Sequence, residues 1–174
     1  ITNSKNLCLS GGVALNSTAN NRIINELPFE KVFIQPASGD GGGALGAAFL
    51  MWNHVLGNEK RFVMDNVYFG EEYTDTEIED SLNKNNLSHY TTKTFEDLAR
   101  EVSLLISEGK VIGWFQGRFE WGPRSLGARS IIADPRKVEM KNIVNTKIKF
   151  REPFRPFAPS ILAENVQEYF ELDN

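Results

Sequence analysis

The chain has 174 residues, 41% hydrophobic and 24% charged, a composition that suits a soluble globular protein. No apolar run approaches the roughly 20 residues that a membrane span needs, and no signal peptide is visible, so membrane insertion and export are not expected. The formal charge of −4 hides a segregation: residues 110–155 carry eleven basic and four acidic side chains, a net of +7, while residues 59–109 carry five basic and twelve acidic ones. An anionic ligand is expected at the basic block.

In chain order, KNLCLSGGVALN reads as a buried strand, a Gly-Gly turn and a helix to about Leu27. Cys8, the one cysteine, sits in the apolar run LCL and reads as a buried strand thiol, with a reducing, cytoplasmic setting as the expectation. A strand KVFIQP and a small-residue helix from about Gly42 to Leu56 complete a β-α-β-α pattern. The polar stretch GNEKRFVMDNVYFGEE then breaks the periodicity, which places a first domain over residues 1–57, a linker over 58–72 and a second domain over 73–174. The second domain reads as helices at Thr76 to Asn86 and Phe95 to Glu108, a strand KVIGWFQ, a long loop, and a helix around Val138 to Lys147. An Arg/Pro-rich stretch and a helix from Glu164 to Leu172 follow. The chain opens on Ile1 and runs at once into a strand, so it is read as a segment of a longer protein whose remainder is its first partner.

Two glycine motifs carry the first chemical signal. In SGGVALN, Ser10 to Asn16, Gly11 and Gly12 stand between strand and helix, where bare backbone can approach a ligand; a simple tight turn is the alternative. In PASGDGGGALGAA, Pro36 to Ala48, a lone carboxylate, Asp40, stands among Gly39, Gly41, Gly42 and Gly43. A helix cap is the plain reading of such an Asp, but three consecutive glycines lower helix stability and suit a backbone lying against a ligand.

The second signal is GWFQGRFEWGPRSLGARSIIADPR, Gly113 to Arg136, followed by NTKIKFREPFRPFAPSIL, Asn145 to Leu162. Guanidinium groups bind phosphate or carboxylate oxygens in planar pairs and keep their charge at ordinary pH. Arg118, Arg124, Lys149, Arg151 and Arg155 are the candidates for an anion pocket; Arg129 either joins them or ties the loop down. A solvated basic face is the competing reading, weakened by the interleaved Trp114, Phe115, Phe119, Trp121, Phe150, Phe154 and Phe157.

The two glycine motifs together resemble the end of the actin-like (ASKHA) ATP-binding domain of the NodU and cephalosporin or tobramycin O-carbamoyltransferases. The arginine stretches resemble the start of the same family's YrdC-like carboxy-terminal domain, in which GPR-(A/S)-LG and EPFRPFAPS recur. The implied fold is therefore α/β: the C-terminal part of an actin-like domain joined to the N-terminal part of a YrdC-like domain.

The resemblance implies that Ser10, Gly11, Gly12, Asn16, Gly39 and Gly41 border a nucleotide. It also implies that Asp40 is one ligand of a divalent active-site metal, expected to be iron, whose histidine ligands lie upstream; His54 and His89 stand in no motif that could replace them. Arg118, Arg124, Lys149, Arg151 and Arg155 are implied to bind carbamoyl phosphate and the ATP phosphates. The activity so implied is an ATP-dependent transfer of a carbamoyl group, through carbamoyladenylate, to a hydroxyl of a sugar, antibiotic or lipo-oligosaccharide. An RNA-binding or tRNA threonylcarbamoyl-modification module is the alternative, disfavoured by the acidic net charge and the paired glycine motifs.

Overall fold

Alternation along the first strand decides what the first part of the chain can bury. In the computed structural model, which describes residues 2–89, 91 and 94–171, β1 spans Asn6–Leu9 and pairs in parallel with β2, Lys31–Ile34, in the register Leu7↔Val32 and Leu9↔Ile34. Leu7, Leu9, Val32 and Ile34 are half-buried, whereas Cys8 and its register partner Phe33 lie exposed on the other face. This corrects the expected burial of Cys8: this segment supplies cover for one face of the sheet only.

The connection between the strands is a tight Gly12–Leu15 turn and α1, Ser17–Glu26. A bare turn follows β2 and leads into α2, Gly42–Phe49, which continues as a wider π-type turn over Leu50–Val55. Contacts divide the chain into two units, the first made of Ile1–Glu72 together with Arg118–Leu126. Within it the returning segment is stitched to residues 67–71 by backbone bonds from Gly70 N to Phe119 O (3.0 Å), Phe119 N to Glu71 O (3.1 Å) and Trp121 N to Val67 O (2.5 Å).

The second unit comprises Tyr73–Gly117 and Gly127–Asn174. Helix α3, Asp75–Lys84, starts at a capping box in which the Thr74 hydroxyl accepts from Glu77 N and the Glu77 carboxylate accepts from Thr74 N. Helix α4, Phe95–Ser107, is capped by Thr94. Strand β3, Ile112–Phe115, pairs antiparallel with β4, Arg129–Ile132, a partner hidden from the sequence reading inside its long loop. A short α5, Met140–Ile143, widens into a π-type turn over Val144–Ile148, and α6, Val166–Tyr169, follows a single turn at Ala163–Asn165. Leu172, the expected end of that helix, lies outside the described residues.

The architecture is mixed α/β, and the buried set is small. Among the described residues the buried hydrophobic side chains are Ala14 and Ala37 in the first unit and Ala128, Met140 and Val144 in the second. Large apolar groups such as Trp52, Val138 and Phe150 stay exposed. No described helix is long and apolar enough to cross a membrane.

Candidate functional site

In the first unit the two glycine motifs meet at one carbonyl. Gly11 N donates to Ser38 O at 2.6 Å, and the Ser10 hydroxyl approaches the same oxygen at 3.5 Å. Gly11 takes φ +97, a backbone that suits glycine. Inside the second motif Gly42 N donates to Gly39 O and Gly43 N to Asp40 O, both at 3.0 Å, so residues 39–43 form the tight entry to α2. A Cβ on Gly42 would lie 2.0 Å from Ala37 O, which explains one of the three consecutive glycines by packing alone. Gly12 opens the short turn after β1, and Gly41 stands immediately before α2 without any side chain capping that helix.

Asn16 has a structural task as well: its Oδ1 accepts from Ala19 N at 3.1 Å and caps α1. Asp40 does not cap α2. Its exposed carboxylate carries no hydrogen bond or ion pair among the described residues. Nor do any three His, Cys, Asp or Glu side chains among the described residues gather as a metal site. Sequence reasoning passed over Ser38, which is 3% exposed and whose hydroxyl finds no partner among the described residues. One small residue in a glycine-rich turn gives no signal of that.

Two of the predicted arginines belong to this same unit. Arg124 Nη2 donates to Leu15 O at 3.2 Å, at the end of the turn that follows Gly11 and Gly12. Its loop is seated by Gly122, at φ +114, where a Cβ would stand 2.7 Å from Pro36 O. Arg118 is exposed and lies 3.6 Å from Glu72, a loose surface pair.

Lys149, Arg151 and Arg155 lie in the second unit, after the widened turn that ends α5. Asn145, with no exposed surface, organises them: its Nδ2 donates to Pro153 O (3.1 Å) and Arg155 O (3.0 Å), and its Oδ1 accepts from Arg151 Nε at 2.7 Å. Lys149 N donates to Val144 O and Arg151 N to Asn145 O, both at 2.9 Å. Phe150, between them, takes φ +49, a left-handed conformation costing a non-glycine residue on the order of 1–3 kcal/mol.

The Arg151 guanidinium carbon stands 4.9 Å from the Phe157 ring centroid, so the group is held from two sides. Its two terminal nitrogens have no hydrogen-bond partner among the described residues. Arg155 pairs with Glu152 at 2.7 Å, and the Glu152 carboxyl is held below its ordinary range, first by its own backbone N–H and then by Arg155.

Arg129 resolves the alternative left open for it. Its Nη1 donates to Gln116 O and Ala128 O, both at 2.9 Å, and its Nη2 to Gly117 O at 2.8 Å, while its guanidinium lies 3.5 Å from the Phe115 ring centroid. It ties the loop down. Nearby, the buried Asp134 carboxylate accepts from Arg136 Nε and Nη2, both at 2.9 Å. That side-chain bond first, and the Arg136 backbone N–H second, lower the Asp134 pKa to about 2.

Residues 1–49 match the family model described as carbamoyltransferase N-terminus, and residues 103–174 the one described as carbamoyltransferase C-terminus. The chain is 51% identical, over 97% of its length, to an uncharacterised protein of Synechocystis sp., and 43% identical, over 99%, to nodulation protein NolNO of Sinorhizobium fredii. It is 34% identical, over 96%, to the 3'-hydroxymethylcephem-O-carbamoyltransferase of Amycolatopsis lactamdurans. It spans 28%, 25% and 30% of the lengths of these three relatives. With two family models matched in order, and relatives in both the nodulation and the cephem groups, the chain belongs to the NodU-type carbamoyltransferase family.

Proposed function

We propose that the protein of which this chain is a segment is an ATP-dependent O-carbamoyltransferase, its first part actin-like and its second YrdC-like. The observation that carries the reading is the state of Arg151: fixed through Nε and a ring face, with both terminal nitrogens left for a ligand. A guanidinium so held offers two parallel N–H donors to two oxygens of one phosphate.

On this reading carbamoyl phosphate is the anion at Arg151, with Arg155 and Lys149 adding positive charge. Hydrolysis there gives carbamate and phosphate. A carbamate oxygen then attacks the α-phosphorus of ATP, forming carbamoyladenylate and releasing pyrophosphate, and cationic side chains offset the phosphate charge as it shifts. A substrate hydroxyl next attacks the carbamoyl carbon, its proton leaves, and AMP departs. The cephem relative's name, which specifies a hydroxymethyl group, supports a small-molecule hydroxyl as acceptor.

In the first unit Gly11, Gly12, Gly39 and Gly41 would face the nucleotide with bare backbone, Ser10 and Asn16 would border it, and Arg124 would add charge beside them. Arg118 would need to leave Glu72 to reach an anion. Asp40 is proposed as one donor to a divalent metal, with the other donors supplied from outside this segment.

Adenylation can be read without knowing the acceptor. Full-length protein given ATP and labelled pyrophosphate should move label into ATP only when carbamoyl phosphate is present. Absence of that exchange in folded, metal-replete protein would refute the proposed chemistry.

A further inference from the structure

We infer that Asn145 is a positioning residue for the anion-binding arginine, setting the direction of Arg151 without reducing its charge; the inference rests on the carbamoyl phosphate reading of Arg151. Asn145 is fully buried, and every polar atom of its carboxamide points to the basic loop. Two N–H donors hold the carbonyls of Pro153 and Arg155, which fixes the backbone on the far side of the loop. One oxygen holds Arg151 Nε, and the Asn145 carbonyl holds Arg151 N, which fixes the near side.

The chemistry of the amide explains why this residue type stands there. The site asks for one acceptor and two donors at the tip of a short side chain, and a carboxamide supplies both. An ionised carboxylate would accept from Arg151 but could donate to neither carbonyl. It would also pair with the guanidinium, as the Asp134 carboxylate does with Arg136, and so spend the charge that an incoming anion needs. A neutral acceptor on Nε adds no carboxylate to the one at Glu152, which already interacts with Arg151 through space, and leaves both terminal nitrogens without a hydrogen-bond partner among the described residues. A buried polar group with all its bonds made is costly to disturb, so the loop geometry is tied to this one side chain.

The widened turn adds to the argument. Asn145 lies inside the π-type turn Val144–Ile148, where the backbone departs from regular helix, and Phe150 is held at φ +49 five residues on. Irregular backbone of this kind at the approach to a charged loop is what a positioning role requires, since a regular helix would carry Arg151 away from Asn145.

The test is carried out in the full-length protein, reading carbamoyl-phosphate-dependent pyrophosphate exchange and thermal midpoint for Asn145→Ala, Asn145→Asp, Arg151→Ala and the Asn145→Ala/Arg151→Ala pair. Asn145→Ala should raise the apparent KM for carbamoyl phosphate roughly two- to tenfold, the cost of ordering one freed side chain on binding, with the saturated rate kept. Asn145→Asp should raise it at least as much, although its shape is nearly unchanged. In the Arg151→Ala background, Asn145→Ala should add nothing to KM, because the group it positions is gone.

A KM unchanged in both folded Asn145 variants, with Arg151→Ala impaired, overturns the proposal and leaves the Arg151 reading standing. Failure of both variants to fold while Arg151→Ala folds also overturns it, since Asn145 would then support the fold and not the fork. An unaffected KM in folded Arg151→Ala removes the anion site itself, and the proposal with it.

Discussion

Arg129 and Arg151 look alike in sequence, each an arginine among aromatic and glycine or proline neighbours, yet their guanidinium groups are used in opposite ways. Arg129 gives its terminal nitrogens to three carbonyls of its own loop, and Arg151 gives only Nε. Nothing in the spacing distinguishes them, because the difference lies in which backbone oxygens the fold brings within reach. The same applies to Asp134, whose carboxylate is buried while Arg136 remains 73% exposed. Its folded pKa, about 2, lies below the ordinary 3.8, so its contribution to stability is complete above about pH 4 and is lost as pH falls through about 2. Asp134→Asn should therefore lower the thermal midpoint at neutral pH and flatten its fall between pH 4 and pH 2. An unchanged acid limb in the variant would show that the Asp134–Arg136 pair does not govern acid stability.

At the scale of elements, α3, α4 and the strands β1, β2 and β3 were legible. The expected helices Thr76 to Asn86 and Phe95 to Glu108 correspond to α3 and α4, which the structure shows to be capped by Thr74 and Thr94. Strand β4 was not legible, because RSII is a short run after a glycine-rich loop and its pairing with β3 is a tertiary fact. Nor was the return of residues 118–126 to the first unit, which rests on backbone bonds to residues 67–71 that no side-chain pattern encodes. In the candidate site, the glycine motifs and the arginines could be read from sequence. Asn145 and Ser38 could not, since burial and hydrogen-bond geometry single them out.

Gly122 is one point where that return is constrained. With φ +114 and Pro36 O at 2.7 Å from a would-be Cβ, Gly122→Ala should destabilise the 118–126 segment by about 1–3 kcal/mol. Hydrogen exchange in the full-length protein should then show faster exchange at Phe119 and Trp121, and wild-type protection at both amides would contradict this seating.

For the whole molecule, the chain spans a quarter to a third of the length of the relatives it matches, and large apolar groups such as Trp52 and Phe150 are exposed. The isolated segment is therefore expected to show no carbamoyl-phosphate-dependent use of ATP. Turnover by the purified 174-residue chain would overturn that expectation.

Arg151 is proposed to grip the phosphate of carbamoyl phosphate with its planar fork, and Arg151→Lys tests this most directly because charge is kept while the fork is lost. Losing one charge-assisted hydrogen bond, about 1.5–3 kcal/mol, should weaken carbamoyl phosphate binding to the full-length protein roughly ten- to a hundredfold in a variant that still folds, with a lowered thermal midpoint from the lost bond to Asn145. An unchanged affinity in the stably folded variant would contradict the account and return Arg151 to a solvated basic face.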